Sequence, residues 1–264
     1  MRRWSAASVF ALVAASLVGP FSGAAAAGTA RVPSDPVVAL QNALIEGHGV
    51  RYSAVSTHVI TSGYQKGHKT AERARGRAEF DQGRVLAIDV TTRIDDKTAV
   101  SPVQRWIEVE GRGYWRDEAR KSKGKWELVE DESYRPQVRA GRINALAPAT
   151  LKAVLATTSA KHSTADGGVR YQGMITLGAL ARLDPLIRIP FGGRPDKSEL
   201  KIKVSWRLWV GKDRLIRRLW TSRTEPESRG SHTKVRSVSD LRVDSWSETV
   251  TVNTPPPGQV TVEE

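Results

Sequence analysis

The stretch that most constrains this chain is Leu200 to Trp220. Ile202, Val204, Trp206, Leu208 and Val210 alternate with Lys203, Ser205, Arg207 and Trp209, the period-two pattern of a strand with two unlike faces. Gly211-Lys212-Asp213-Arg214 supplies a short polar turn. Leu215 to Trp220 then returns, with Leu215, Arg217 and Leu219 on one side and Ile216, Arg218 and Trp220 on the other. The pattern predicts a hairpin with one apolar face and one basic, tryptophan-bearing face. Its apolar face must be buried against something.

Short strands at regular spacing make up much of the rest. Val50 to Thr61 (polar on both faces), Arg77 to Phe80, Val85 to Arg93, Gln104 to Glu110, Tyr114 to Asp117, Lys125 to Val129, Val169 to Gln172, Val235 to Trp246 and Glu248 to Val252 predict an antiparallel meander, open or closed. Helices are expected where Ser34-Asp35-Pro36 opens a run with Val37, Leu40, Leu44 and Ile45 on one face, at Pro148 to Ala156, and at Thr176 to Leu183. Ser62 to Gly76 is expected as a basic loop. Its Gly63, Gly67, Lys69 and Thr70 depart from the G-x-x-x-x-G-K-[ST] spacing of a phosphate loop. Leu186 to Ser198 is expected as a loop with an apolar tip at Ile187, Ile189 and Phe191, and Pro255-Pro256-Pro257 begins a non-helical tail.

Met1 to Ala27 has the layout of an export signal: Arg2 and Arg3, an apolar segment Ala6 to Val18, then Ala24 to Ala27. An extracytoplasmic protein of one domain, residues 28–264, is expected. The chain has no cysteine, so disulfides, thiol catalysis, thiolate metal sites and a lipidated N-terminal cysteine are all excluded from the expectation. Formal charge is +13, and removing Arg2 and Arg3 leaves +11 on the remainder. That excess suits anionic membrane surfaces or wall polymers, or serves only as a solubilising exterior.

The chemistry sought is mostly missing. His48, His58, His68, His162 and His232 show no metal-ligand pairing in sequence, and no G-x-S-x-G occurs. Ser198-Glu199-Leu200-Lys201 fits S-x-x-K without its companion motifs. Asp95/Asp96 and Glu130/Asp131/Glu132 read as turn acids. Tryptophans lie in predicted strands, mostly beside Lys or Arg, and Trp209, Trp220 and Trp106 are the candidates for an outward face. No catalytic residue, metal or cofactor is expected, and nucleic acid is set aside as a partner because the chain is read as exported.

Ala147-Pro148-Ala149-Thr150-Leu151-Lys152, Val169-Arg170-Tyr171-Gln172-Gly173, the run Leu208 to Arg218 and the run Val250 to Val260, in that order and spacing, resemble the LppX/LprG-type envelope lipoproteins of actinobacteria, a family related in fold to the LolA/LolB lipoprotein carriers. The resemblance implies an α+β fold: a single strongly curved antiparallel sheet, a half-barrel, with two or three helices packed on the concave face. It also implies an apolar cavity for acyl chains and no catalytic residues. On that basis Leu151, Val154, Leu155, Leu177, Leu180, Ile202, Val204, Trp206 and Leu208 are expected to line the cavity. Lys201, Lys203, Arg207, Arg217 and Arg218 are expected to dock an anionic headgroup or surface. The family's anchoring cysteine is missing, so a secreted, envelope-associated form without a lipid anchor is expected. The implied function is a non-enzymatic carrier or binding protein for a lipid or other amphiphile. The alternative is an envelope sensor or protein-interaction module whose pocket is filled by its own side chains. A hydrolase is a third class, and it would need a polar cleft with a coupled Ser/His or carboxylate pair.

Overall fold

The computed structural model describes residues 34–96, 99–118, 125–129, 137–184, 196–228 and 231–261. The candidate export signal, the acids Glu130 to Glu132 and the apolar tip at Ile187, Ile189 and Phe191 lie outside them. The described residues belong to one compact unit.

In chain order the elements are α1 (Pro36–Ala43), β1 (His48–Ile60), β2 (Lys69–Asp81), β3 (Arg84–Asp96), β4 (Ala99–Val109), β5 (Arg112–Asp117), β6 (Trp126–Val129), β7 (Arg139–Ala140), β8 (Ile143–Asn144), α2 (Pro148–Leu155), β9 (Thr158–Ser163), β10 (Val169–Thr176), α3 (Leu177–Leu183), α4 (Lys197–Leu200), β11 (Lys203–Val210), β12 (Ile216–Pro226), β13 (Lys234–Thr249), a 3-10 turn Pro257–Gln259 and β14 (Val260–Thr261). Among the described residues twelve strands form one sheet in the order β14-β6-β5-β4-β3-β2-β1-β13-β12-β11-β10-β9, with β9 and β14 at its edges. It is antiparallel except where β14 runs parallel to β6. The protein is thus mostly β-sheet with a few helices, and the sheet is open rather than a closed barrel.

The helices begin where local chemistry dictates. The Asp35 carboxylate accepts the Val37 N–H at 2.7 Å and Pro36 follows, so the cap and the fixed proline angle start α1 together. Thr176 caps α3 through the Ala179 N–H at 3.2 Å. Leu40 and Leu44, Leu151 and Val154 of α2, and Leu177 and Leu180 of α3 then meet one face of the sheet in a single core. The sheet supplies Val50, Phe80, Ile88, Val204, Trp206, Leu208, Leu219 and Leu241. Each such side chain contributes about 1.5–3 kcal/mol by leaving water. We call this the inner face.

The outer face carries a second cluster. Ala87, Ile107, Tyr114 and Trp126 pack with Val250 and Val252 of the C-terminal segment. The Glu79 carboxylate accepts the Val252 N–H at 2.7 Å, which ties that segment to β2.

Several sequence expectations shift. Lys69 to Gly76 belongs to β2 rather than to a loop, because Glu72, Ala74, Gly76 and Ala78 pair with both β1 and β3 while the intervening arginines point outward. Val235 to Thr249 is one strand, and Val250 to Val252 leaves the sheet. Ile216 turns inward with Leu219, since a register shift between Trp209 and Val210 resets the alternation in the partner strand. Ile45 is exposed, outside the face made by Leu40 and Leu44. Asp95 and Asp96 end β3.

Candidate functional site

Polarity on the inner face changes sharply along its strands. One cross-strand row runs Leu219, Leu241, Ala54, Ala74, Thr92, Gln104. The next row runs Thr221, Ser239, Ser56, Glu72, Ile94, and the one beyond it Arg223, Ser237, His58, Thr70. Four strands, β12, β13, β1 and β2, therefore switch from apolar to polar at one level, whereas β3 carries Thr92 and then Ile94. Inward polar residues persist only where they are paired or used. Ser56 and Ser239 are hydrogen-bonded hydroxyl to hydroxyl at 2.9 Å, and His58 Nδ1 meets Ser237 Oγ at 3.0 Å.

The hairpin β7–β8 covers this polar half. Its turn residue Gly141 has φ +57°, and a Cβ there would stand 2.8 Å from Thr221 Oγ1 and 3.1 Å from Arg223 Nη1. Glycine therefore serves two needs, the left-handed backbone and the close seat on β12. Between hairpin and sheet lies a cavity of about 470 Å³. Ala54, Ala74, Val90, Ile94 and Trp106 give it an apolar wall, while His58, Glu72, Arg139, Arg142 and Arg223 give it a charged and polar one. Tyr52 joins the two, and its buried hydroxyl has no hydrogen-bond partner.

The three arginines crowd one another. Arg223 is 9 % exposed, donates to Glu225 at 2.7 Å and leaves its Nε without a partner. Burial first, and then Arg223, pushes Arg142 down to about 10, against the attraction of Glu225. Burial likewise lowers Arg139, opposed by Asp184 and Glu72. Burial, followed by Arg223, holds His58 below its ordinary value, so the ring is neutral at neutral pH. Burial raises the Tyr52 phenol, reinforced by Asp89.

The nine residues expected to line a cavity come together, but on one another. Leu151, Val154, Leu177, Leu180, Val204, Trp206 and Leu208 are buried in the main core, with Leu155 and Ile202 packed against it, and none of the nine lines the cavity described above. Trp206 donates its indole N–H to Thr157 Oγ1 at 3.1 Å. Of the basic residues, Lys201, Lys203, Arg207 and Arg217 are exposed. Arg217 pairs with Asp213 at 2.5 Å, and Arg218 pairs with Asp240 at 2.6 Å while lying 4.7 Å from the Trp209 ring centre. Arg207 lies 5.0 Å from Trp220. Trp209 and Trp220 thus occupy the outer face as expected, whereas Trp106 faces inward into the cavity.

The cavity residues escaped the sequence reading. Their signal was an arginine, a histidine and several serines at inward positions, which shows only once strand register is known. His58 and Ser237 form the kind of pair a hydrolase uses, but the Ser237 hydroxyl is buried behind the ring, outside the cavity lining.

No protein-family model matches the chain, and no curated protein does. Among solved structures it is similar to a LolA superfamily protein from Nitrosomonas europaea, at 11% identity over 84% of this chain and 94% of that one, with a TM-score of 0.29. It is also similar to a DUF1329 family protein from Desulfovibrio piger, at 10% identity over 80% and 91% of the two chains, with a TM-score of 0.27. An S-type phycobiliprotein lyase from Guillardia theta matches at 7% identity over 81% and 99%, with a TM-score of 0.24. Scores at this level carry no argument about family or function.

Proposed function

We propose that this chain is a non-enzymatic binding or carrier protein for a lipid or other amphiphile, working outside the cytoplasm at the cell envelope. The observation that carries the reading is the inner-face cavity, which sets an apolar wall beside a cationic one. An alkyl chain against Ala54, Ala74, Val90, Ile94 and Trp106 gains about 0.8 kcal/mol per buried CH₂. The volume falls within the range of ligand sites, about 300–1,000 Å³. The resemblance to LppX/LprG-type proteins supports the same class of ligand, and the signal-like Met1 to Ala27 supports the compartment. Among the described residues no helix is long and apolar enough to cross a membrane. On the outer face Lys203 and Arg207, with the neighbouring Lys201, would meet anionic headgroups or wall polymer through charge attraction.

Native mass spectrometry of the mildly purified exported protein tests this reading. We expect an adduct of lipid mass that organic extraction removes and an acyl probe restores. Protein that carries no adduct and takes up no probe would refute it. The second reading, an envelope sensor or interaction module, draws on the region beneath the helices, where the protein's own side chains fill the space. A single stoichiometric protein partner, recovered without bound amphiphile, selects that reading.

A further inference from the structure

We propose that the outer face of the sheet carries a track for a linear, phosphodiester-linked polymer of the cell wall, laid along one cross-strand row of arginines. At one outward level, read from β10 across to β5, stand Arg170, Arg218, Arg242, Arg75, Arg105 and Arg116, separated only by Trp209, Ser53 and Thr91. The row crosses nine adjacent strands and holds no acid. At about 4.8 Å between strands it runs about 38 Å, and successive arginines stand no more than about 10 Å apart, one Debye length in 0.1 M salt. Acids reach it only from the neighbouring rows. Asp240 holds Arg218 at 2.6 Å and stands 4.0 Å from Arg242, and Asp89 holds Arg105 at 2.7 Å. Among the described residues no ion pair engages Arg170, Arg75 or Arg116, so with Arg242 four of the six arginines remain in excess. The flanking rows lack that excess. On one side Arg51 is paired with Glu248 and Arg77 with Asp89, beside Ile107 and Tyr114. On the other, Arg73 and Arg93 share Asp95, and the next row, from Met174 through Ser222 and Thr57 to Asp95, holds no cation. The charge therefore forms a line, which suits a linear polyanion better than a flat membrane. Trp209 and Trp220 lie against Arg218 and Arg207, at 4.7 and 5.0 Å, and so support guanidiniums rather than stand free as membrane anchors. Guanidinium forks match phosphate oxygens, and each contact with a polyanion releases counterions. The signal-like Met1 to Ala27 favours a wall polymer over nucleic acid. Lys201 and Lys203 lie off this line, and the inference goes beyond the amphiphile reading without depending on what fills the cavity.

Calorimetry over a series of salt concentrations tests the track with three probes: poly(glycerol phosphate), oligothymidylate of equal phosphate count, and phosphatidylglycerol vesicles. We expect the glycerol phosphate polymer to bind with a slope of log K against log salt of about −3, from four contacts at roughly 0.7 each. The double variant Arg75→Gln with Arg242→Gln should weaken that binding about 25-fold at 0.1 M salt and roughly halve the slope. Lys69→Gln with Arg236→Gln is the control. It removes the same charge from the same face of β2 and β13, six residues along each strand, about 20 Å away and beyond the Debye length. All four side chains are exposed, so neither variant disturbs the core. The control should change affinity less than about two-fold. Equal losses for the two variants overturn the row, because bulk charge then explains the binding. Tighter binding of oligothymidylate, or of the vesicles, that is lost with Arg75 and Arg242 overturns the wall polymer as the occupant. A polymer that does not bind overturns the track, while the lipid adduct in native mass spectrometry stands or falls separately.

Discussion

Replacing Glu225 with glutamine keeps the shape of the side chain and removes its charge from the cluster beneath the hairpin. The Arg223–Glu225 pair closes at 2.7 Å with side chains 8 % and 15 % exposed, so it lies inside the protein. Deleting one partner of a buried pair leaves the other charge uncompensated, at a loss of about 3–5 kcal/mol. In this cluster the two partners are unequal. Without Glu225, Arg223 loses its hydrogen-bonded carboxylate and Arg142 loses an attraction, while both still repel each other and Arg139. Without Arg223, Glu225 keeps the field of Arg142, and the repulsion on Arg142, Arg139 and His58 is lifted. We therefore expect Glu225→Gln to lose about 3 kcal/mol, at the lower end for such a pair, and Arg223→Gln only about 1 kcal/mol, the net worth of an ordinary hydrogen bond. The double variant should match Arg223→Gln alone. For a chain of this size 1 kcal/mol moves Tm by about 2–4 °C, so Glu225→Gln should melt about 6–12 °C early. Urea unfolding followed by tryptophan emission measures the three losses. Equal losses for the two single variants, or a larger loss for Arg223→Gln, would refute a shared cationic field.

Three further outcomes follow from the same geometry. Gly141→Ala must accept a φ of +57° and a Cβ 2.8 Å from Thr221 Oγ1, so about 1–2 kcal/mol is lost and the hairpin lifts; faster amide exchange confined to 138–145 would report it. His58 sits among Arg223, Arg142, Glu72 and Glu225 and binds its proton more weakly folded than unfolded. The unfolded chain thus protonates first as pH falls through about 6.5, and stability drops below that pH, a slope that His58→Gln should flatten in unfolding titrations between pH 7 and about 5. Trp206, 1 % exposed and bonded to Thr157, should lose about 3–5 kcal/mol on truncation to alanine, read as a lower urea midpoint.

The hairpin at Leu200 to Trp220 was legible because alternation over the eight residues of β11 overdetermines its faces: Val204, Trp206 and Leu208 are all buried. The return strand was half legible. A bulge is not encoded in hydrophobicity, so Ile216 and Leu219, both inward, read as opposite sides. The first half of β2 was hidden by Arg73 and Arg75, which look like a loop until Glu72, Ala74 and Gly76 are seen to alternate with them and to run on into the strand read at Arg77 to Phe80. β9, the polar edge strand Thr158 to Ser163, buries too little to leave a pattern. The cavity was the least legible part. Arg139 and Arg142 stand on a two-residue hairpin with no period, and Arg223 reads as outward until the register of β12 against β13 fixes it inward with Thr221.

That register also decides what kind of molecule suits the cavity. The helices α1, α2 and α3 cover only the apolar half of the inner face, and the hairpin covers the rest with arginine. A wholly apolar ligand would exclude water from polar lining groups such as Gln104, Gln137 and Arg139 without replacing its hydrogen bonds, and each buried donor left unmade costs about 1–3 kcal/mol. A bare inorganic acid would satisfy the arginines and leave Val90, Trp106 and the partly exposed Ile94 against water. Neither compensates for the half it ignores. A molecule with a polar head and an alkyl tail meets both walls at once, and on β12, β13, β1 and β2 the boundary between the rows through Leu219 and Thr221 marks where its head would join its tail.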